Sequence, residues 1–422
     1  MEAGDSLLEK VTGQETVMVP GNVLLLIVAG FAVTTTLLSM AALAWVIRPR
    51  RTGSIGSPDY LPPLTILKPL KGVDEGLEEN LRSFFLLDYP EYQLLFGVAD
   101  EDDPAIPIVR QLLDEYPGRD ASLIVGSPVF GLNPKVENLA AMDRFRKHAV
   151  LLISDSNVRA RPSYLRETVC YLSEPGVGLV TNLFTGVGER QSGAAIENLQ
   201  LNGFIAGGVA MASVFGLTCV VGKSMLMKAE ALNAIGGFAR VRNLLAEDQV
   251  IGMRVRQAGY KVRLSHHVID NVNYDRDLHW FLNRHSRWYK IRARLAWPAF
   301  MIEPAANLAG VGLIWALSGE SGLAWGGLLV LVGLGVVRDS VQTRWLRGTW
   351  PKARHLWLSP VKDLFLLPVW FDALVNKRVV WRGHRLIIGR FTRLRLARVP
   401  RVVRQRVRRV VRFRARGESP SI

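Results

Sequence analysis

From Asn22 to Ile47 the chain runs for 26 residues without a charged side chain. As a helix rising about 1.5 Å per residue, such a run is long enough to cross a hydrocarbon core of roughly 30 Å with some tilt. Arg48, Pro49, Arg50 and Arg51 close it, whereas Met1 to Gly21 carries Glu2, Asp5, Glu9 and Glu15 against Lys10. The positive-inside rule then places residues 1–21 outside the cytoplasm and starts everything after Arg48 within it. A cleaved leader is the competing reading. It is disfavoured because the basic flank follows the apolar run and no small-residue cleavage pattern comes after it.

A second apolar block, Pro304 to Val337, is interrupted at Ser318, Gly319, Glu320, Ser321 and Gly322. Halves of about 15 to 17 residues predict a tight helical hairpin. Leu356 to Val375 is apolar but carries Lys362, Asp363 and Asp372, so an interfacial or re-entrant helix is as good a reading as a span. Residues 299–384 are therefore expected to form a membrane hairpin with interfacial helices. The net charge of +16 has an address: Arg385 to Arg416 contains 13 arginines and no acid. Valine, leucine and phenylalanine alternate with them, so residues 385–422 are expected to form a basic amphipathic helix on an anionic lipid surface. Nucleic acid is the rival partner for such charges. With membrane spans beside the tail, lipid is preferred and no nucleic acid is expected. Cys170 and Cys219 have no metal-ligand spacing, and the adjacent His266 and His267 would point to opposite faces of a strand.

Between these segments, residues 48–298 alternate short apolar runs with amphipathic stretches. "LTILKPL", "YQLLFGVAD", "ASLIVGS" and "AVLLISDSNV" read as strands, separated by the helices "GLEENLRSFFLL", "AIPIVRQLLDEY" and "VENLAAMDRFRKH". This rhythm predicts an α/β domain with a mostly parallel sheet, whose ligands gather beyond the carboxyl ends of the strands. Asp100, Glu101, Asp102 and Asp103 stand at one such end, and Asp155 at another. Acids converging on one sheet edge repel unless a cation or strong donors hold them, and a divalent metal bridging a diphosphate would do so. Singly, each acid could equally be a cap or turn residue. Further on, "GLNPKVENL" sets Asn133 and Lys135 in a turn before a helix, where phosphate can be held. "AEDQ" sets Glu247 and Asp248 at a helix start, and "NRHSRW" sets Arg284, Arg287 and Trp288 within about one helical turn.

Taken in order, these motifs resemble the inverting nucleotide-sugar glycosyltransferases. "LKPLKGVDEGLEENLRSFFLLDYPEYQ", "DEDDPAI", "GLNPKVENL", "SDSNVR" and "AEDQ" look most like the ceramide glucosyltransferase family, over roughly Leu64 to Trp288 and the flanking spans. The resemblance implies a GT-A-type nucleotide-sugar-binding domain facing the cytoplasm of a multi-pass membrane protein. It implies transfer of a hexose, most simply glucose, from a UDP-sugar to the primary hydroxyl of a membrane lipid such as ceramide. A hopanoid or another lipid alcohol, with an N-acetylhexosamine donor, is the alternative. Position by position, it implies that Asp100, Asp102 and Asp103 contact uridine and ribose, and that Lys135, Asn133 and Glu247 assist in donor binding. Asp155 would hold a divalent metal, Mg2+ or Mn2+, against the diphosphate. Asp248 would be the general base, with Arg284, Arg287 and Trp288 completing the catalytic set. The chain departs from eukaryotic members in having no histidine between Leu199 and Gly207. The arginine-rich extension is also outside the family pattern.

Overall fold

A computed structural model describes residues 20–48, 57, 59–126, 131–318, 322–381 and 384–396. The α/β layer is built on an eight-stranded sheet in the order β3-β2-β1-β4-β7-β6-β8-β5. Its strands are β1 (Leu64–Pro69), β2 (Tyr92–Val98), β3 (Ala121–Val125), β4 (Val150–Ile153), β5 (Val158–Arg159), β6 (Val177–Val187), β7 (Met225–Lys228) and β8 (Lys261–Val272). The first four strands pair in parallel, as the alternation predicts. They are joined by α2 (Leu77–Phe85), α3 (Ala105–Glu115) and α4 (Pro134–Asp143). β1 and β2 are buried at every position, which is why they read as continuous apolar runs rather than alternating ones. Beyond β4 the sheet turns mixed: β7 runs antiparallel to both β4 and β6, β5 runs antiparallel to β8, and β6 pairs with β8 in parallel.

Helices α5 (Tyr164–Val169), α6 (Ser192–Gln200), α7 (Ala206–Val214), α8 (Ala229–Ala234) and α9 (Glu247–Gln257) complete the α/β layer. A π-helical turn, Leu201–Ile205, connects α6 to α7. The chain then passes through α10 (Leu278–Leu295) and α11 (Trp297–Ile302) into α12 (Leu308–Ser318), α13 (Gly322–Arg347) and α14 (Leu358–Val375).

The apolar run forms α1 (Pro20–Ile47). Leu24, Ile27, Leu37 and Trp45 on it are all more than half exposed, a surface suited to lipid rather than water. Ala29 and Ala32 of α1 pack against Leu308 and Val311 of α12 and Leu331 of α13. Its other end, Ala42, Leu43 and Val46, packs on Leu183, Val268 and the α7 residues Val209 and Ala210. One helix thus joins the membrane layer directly to the sheet. Among the described residues, two helices, Val23–Ile47 and Gly322–Arg347, are long and apolar enough to cross a membrane; α11 with its following turn and α12 would make a third span, bent by 57°.

The hairpin differs from its expected form, with arms of 11 and 26 residues. The second arm continues past Val337 because its charges are matched: Arg338 pairs with Asp339 and Asp363, and Lys362 of α14 lies 2.9 Å from Asp339 and 2.6 Å from Asp363. The expected helix over Arg385–Arg416 also needs correcting at its start. A three-stranded antiparallel sheet is formed by β9 (Arg378–Trp381), β10 (His384–Ile388) and β11 (Leu394–Leu396). Alternation of arginine with apolar residues fits a strand as well as a helix, and the buried Leu386, Ile388 and Leu394 close a small core with Leu245 and Val379. Residues 397–422 lie outside the described residues.

Candidate active site

The elements converge on a cavity of about 1460 Å³. Its lining includes charged side chains, Lys135, Asp155, Lys223, Asp248, Arg284 and Arg287 among them, and apolar ones such as Phe31 of α1 and Val209, Met211 and Phe215 from α7 and its end, with Glu303 and Arg338 contributed from the membrane-side helices. Thr35, Thr36 and Ser39 of α1 also line it, so the cavity opens along the membrane helix.

Asp155 follows β4 directly and is anchored by its backbone, whose carbonyl accepts a 2.7 Å hydrogen bond from Lys68 Nζ. Its carboxylate lies between two ammonium groups, with Lys135 Nζ at 2.8 Å from Oδ1 and Lys223 Nζ at 3.1 Å from Oδ2. Burial alone would push this carboxyl up, but Lys135 and Lys223 hold it well below the usual carboxylate range. The same burial pushes Lys223 down to about 8, against the pull of Asp155. Lys223 also donates to Asn157 Oδ1.

Lys135 reaches a second acid, Glu247 Oε1, at 3.1 Å. Asn133 caps α4, accepting from the Lys135 and Val136 amides at 3.0 and 3.2 Å while its own amide donates to Leu244 O and Glu247 Oε2. Asn133 is fully buried, so it locks the α4 start to the α9 start rather than facing the cavity. Asp248, next to Glu247, accepts from the Gly222 amide at 2.8 Å through Oδ2 and from the Gln249 amide at 2.8 Å through Oδ1. Burial, then the neighbouring Glu247, raises it to about 6. A Cβ at position 222 would fall 2.7 Å from Asp248 Oδ2, so only glycine lets the backbone approach this carboxylate.

Arg284 and Arg287 lie on α10, started by Asp277, which accepts from the Trp280 amide at 2.7 Å. The Arg284 guanidinium stacks 4.5 Å from the Trp288 ring centroid and 5.1 Å from that of Trp280. Behind it, buried Glu197 of α6 approaches Arg284 Nε at 3.3 Å and His285 Nε2 at 2.9 Å. Glu197, Lys223, Gly222 and Trp280 belong to this arrangement, and no motif singles them out. Only Lys223, a lysine in the turn just before the apolar strand β7, leaves a trace in the sequence.

The acidic run does not join them. Asp103 is buried, accepting from the Gly72 amide through both oxygens at 3.0 Å and from the Ala105 amide at 2.9 Å, so it clamps a loop and starts α3. Asp100 and Asp102 are exposed, and none of the three lines the cavity. Among the acids that line this cavity, Asp155 and Asp74 are partly exposed and open to a divalent cation. Asp155 is about a quarter exposed toward the cavity, and Mg2+ commonly accepts one protein carboxylate and takes its other ligands from phosphate and water. Among the described residues, no group of three or more His, Cys, Asp or Glu converges as a ready-made metal cage.

The family model for glycosyl transferase family 21 matches residues 23–394, spanning both the α/β layer and the membrane helices. The chain belongs to this family. Ceramide glucosyltransferase 3 of Caenorhabditis elegans is 33% identical over 260 residues, covering 61% of this family-21 chain and 56% of the relative. Ceramide glucosyltransferase of Candida albicans is 37% identical over 122 residues, covering 26% of the chain and 22% of the relative. The family-21 chain therefore spans little more than half the length of the first of these. Among solved structures, a mannosyltransferase from Pyrobaculum calidifontis in complex with GDP-Man and Mn2+ superposes with a TM-score of 0.48 at 15% identity, over 84% of this chain and 99% of that one.

Proposed function

We propose that this family-21 chain transfers a hexose, most simply glucose, from a UDP-sugar to the primary hydroxyl of a membrane lipid, most simply ceramide, with inversion to a β-glycosyl lipid. The observation that carries this reading is the position of Asp248, a carboxylate raised toward neutral pH, in one cavity lined by both cationic and apolar side chains. A nucleotide sugar needs the first kind of lining and a lipid tail the second.

In the reaction the acceptor hydroxyl attacks the anomeric carbon opposite the departing diphosphate. Asp248 takes the hydroxyl proton as the new C–O bond forms, and a pKa of about 6 keeps it ionised yet basic near neutral pH. The sugar–phosphate bond breaks with its electron pair on the UDP oxygen. Lys135, Lys223, Arg284 and Arg287 offer cations to that developing charge from three different elements, two of them guanidiniums able to bind phosphate bidentately. Trp280 and Trp288 hold the Arg284 guanidinium flat, so less side-chain freedom is lost when it engages phosphate. A divalent cation, if bound at Asp155, would add Lewis-acid stabilisation of the leaving diphosphate. The amphipathic arginines after Arg385 support attachment to an anionic cytoplasmic leaflet, and the basic flank after α1 supports a cytoplasmic site.

Purified chain in lipid nanodiscs is to be incubated with UDP-glucose, UDP-galactose and UDP-N-acetylglucosamine against ceramide, diacylglycerol and a hopanoid alcohol. Mass spectrometry should find a hexosyl ceramide from UDP-glucose. Nucleotide release with no glycosylated lipid of any kind would refute the reading.

A further inference from the structure

A second hollow, of about 690 Å³, is lined in part by the loop that leads into Asp248, and shares no lining residue with the first cavity. Arg240, Arg242, Arg254, Arg390, Arg393 and Arg395 all line it. They come from three stretches of chain: the turn after α8, helix α9, and the segment from the end of β10 through β11. The remaining lining residues, Ala239, Asn243, Leu244 and Phe391, bring no carboxylate. Guanidiniums cannot shed their charge, so Arg240, Arg254, Arg390, Arg393 and Arg395 give this hollow a concentrated positive potential that draws an anion. Planar, multiply donating guanidiniums are suited to phosphate oxygens.

The backbone beneath the hollow is held in an uncommon form. Phe391 and Thr392 have φ of 52° and 59°, two successive non-glycine residues in the left-handed region. That shape lets Thr392 accept hydrogen bonds from the loop ahead of Asp248: its carbonyl from Leu245 N at 3.0 Å and its Oγ1 from Ala246 N at 3.4 Å. Leu394 N donates to Asn243 O at 2.7 Å, and Leu244 bridges Arg393. The C-terminal segment thus stitches itself to residues 243–246, and Glu247 and Asp248 come immediately after. The arginines of both partners in this seam face the same hollow.

We infer that this arginine-lined hollow is a binding site for a phosphate-bearing anion, supplied either by a membrane phospholipid headgroup or by soluble phosphate, and that its occupant clamps the C-terminal sheet to the Asp248 loop. The site is separate from the donor cavity, and its test reads binding, so it stands or falls independently of the proposed reaction.

Full-length chain in neutral detergent is to be titrated with dioctanoyl phosphatidic acid, dioctanoyl phosphatidylcholine and inorganic phosphate, following the heat of binding. Saturable binding of phosphatidic acid but not phosphatidylcholine is expected. Arg240→Gln and Arg395→Gln, both at exposed positions where the fold tolerates exchange, should each weaken it about fivefold, and the pair by more than twentyfold. Arg240→Lys serves as a folding-neutral second variant and should weaken binding about two- to threefold by losing the bidentate geometry. Equal affinity for inorganic phosphate with the same arginine dependence would identify the soluble source; weak phosphate binding would identify the lipid. Hydrogen exchange at residues 243–246 should slow on saturation. The inference is overturned by absence of saturable binding of either phosphate probe, or by binding that all three variants leave unchanged. It is also overturned if a single-stranded oligonucleotide binds with the same arginine dependence and displaces phosphatidic acid.

Discussion

The Gly222 amide donates a 2.8 Å hydrogen bond to Asp248 Oδ2, and this short loop-to-helix contact fixes the one carboxylate in the cavity that is raised toward neutral pH. The second oxygen is oriented by the Gln249 amide, so the group is aimed before any substrate arrives. Asp248→Asn keeps the shape and cannot accept a proton. It should lower kcat by at least about a thousandfold while UDP binding, measured by calorimetry, stays within a few-fold. Gly222→Ala is a subtler version: the added methyl displaces the carboxylate and should cost about tenfold to a hundredfold in kcat, with less change in donor KM.

The pH behaviour of Asp248 runs in opposite directions for rate and for stability. Its folded value of about 6 lies above the ordinary 3.8, so the folded chain binds this proton more tightly than the unfolded one. The stability it contributes is present below about pH 4 and is lost as pH rises through about 6. Activity follows the ionised base and should rise through the same window. An acid limb of kcat/KM near 6 in the parent, and no such limb in the residual activity of Asp248→Asn, is the expected profile.

Lys223 should prove as important to donor binding as Lys135, although it lies outside every recognised motif. Its ammonium holds one oxygen of Asp155, and burial lowers it to about 8. Lys223→Met removes that charge with little change in volume and should reduce kcat/KM for the UDP-sugar by about tenfold to a hundredfold, or roughly 1.4 to 2.7 kcal/mol. The parent should also lose kcat/KM above about pH 8 as Lys223 deprotonates, and the Met variant should lack that alkaline limb. A Met variant with the parent's donor affinity and alkaline limb would remove Lys223 from the site.

The parts of this molecule that could be read in advance are those whose physics is local. The strand-helix alternation from Leu64 to Ile153 placed four strands and three helices within a few residues, because each buried strand is a continuous apolar run between polar turns. The charge-free run gave α1 for the same reason. What could not be read depends on contacts across long sequence separations. β7 enters the sheet antiparallel between β4 and β6, and nothing in "MLMK" states that direction. Asp103, which the family resemblance assigns to uridine and ribose contact, accepts from the amides of Gly72 and Ala105 across a loop, an engagement its place in the acidic run does not announce. Glu197 was invisible because its partners, Arg284 and His285, lie 87 and 88 residues away in sequence.

Glu197 carries a stability prediction. It is completely buried beneath Arg284 and His285, and Glu197→Gln leaves a buried guanidinium without its counter-charge. Removing one partner of a buried pair costs about 3 to 5 kcal/mol. Thermal unfolding of the purified variant should show that loss as a lower Tm, together with weaker UDP binding as Arg284 loses its support. An unchanged Tm would mean that water or a rearranged side chain replaces the carboxylate at no cost.

Truncation at the C-terminus separates the small sheet of β9, β10 and β11 from the arginines beyond Leu396. Ending the chain after Ile388 deletes β11 and Thr392, and with them the hydrogen bonds to the Leu245 and Ala246 amides just before Glu247 and Asp248. Ending it after Leu396 keeps all of these. The shorter chain should lose about tenfold or more in kcat and show faster hydrogen exchange at residues 243–246. The longer should keep both at parental values in neutral lipid. In vesicles containing anionic lipid at low salt, the longer truncation should still lose part of the parent's membrane attachment, because each arginine near such a surface contributes about 1 kcal/mol. That loss should shrink at high salt as the Debye length contracts toward about 3 Å. If the two truncations behave alike in neutral lipid, the Thr392 seam does not position the Asp248 loop; if the longer one attaches as the parent does at every salt concentration, the arginines beyond Leu396 do not engage the bilayer.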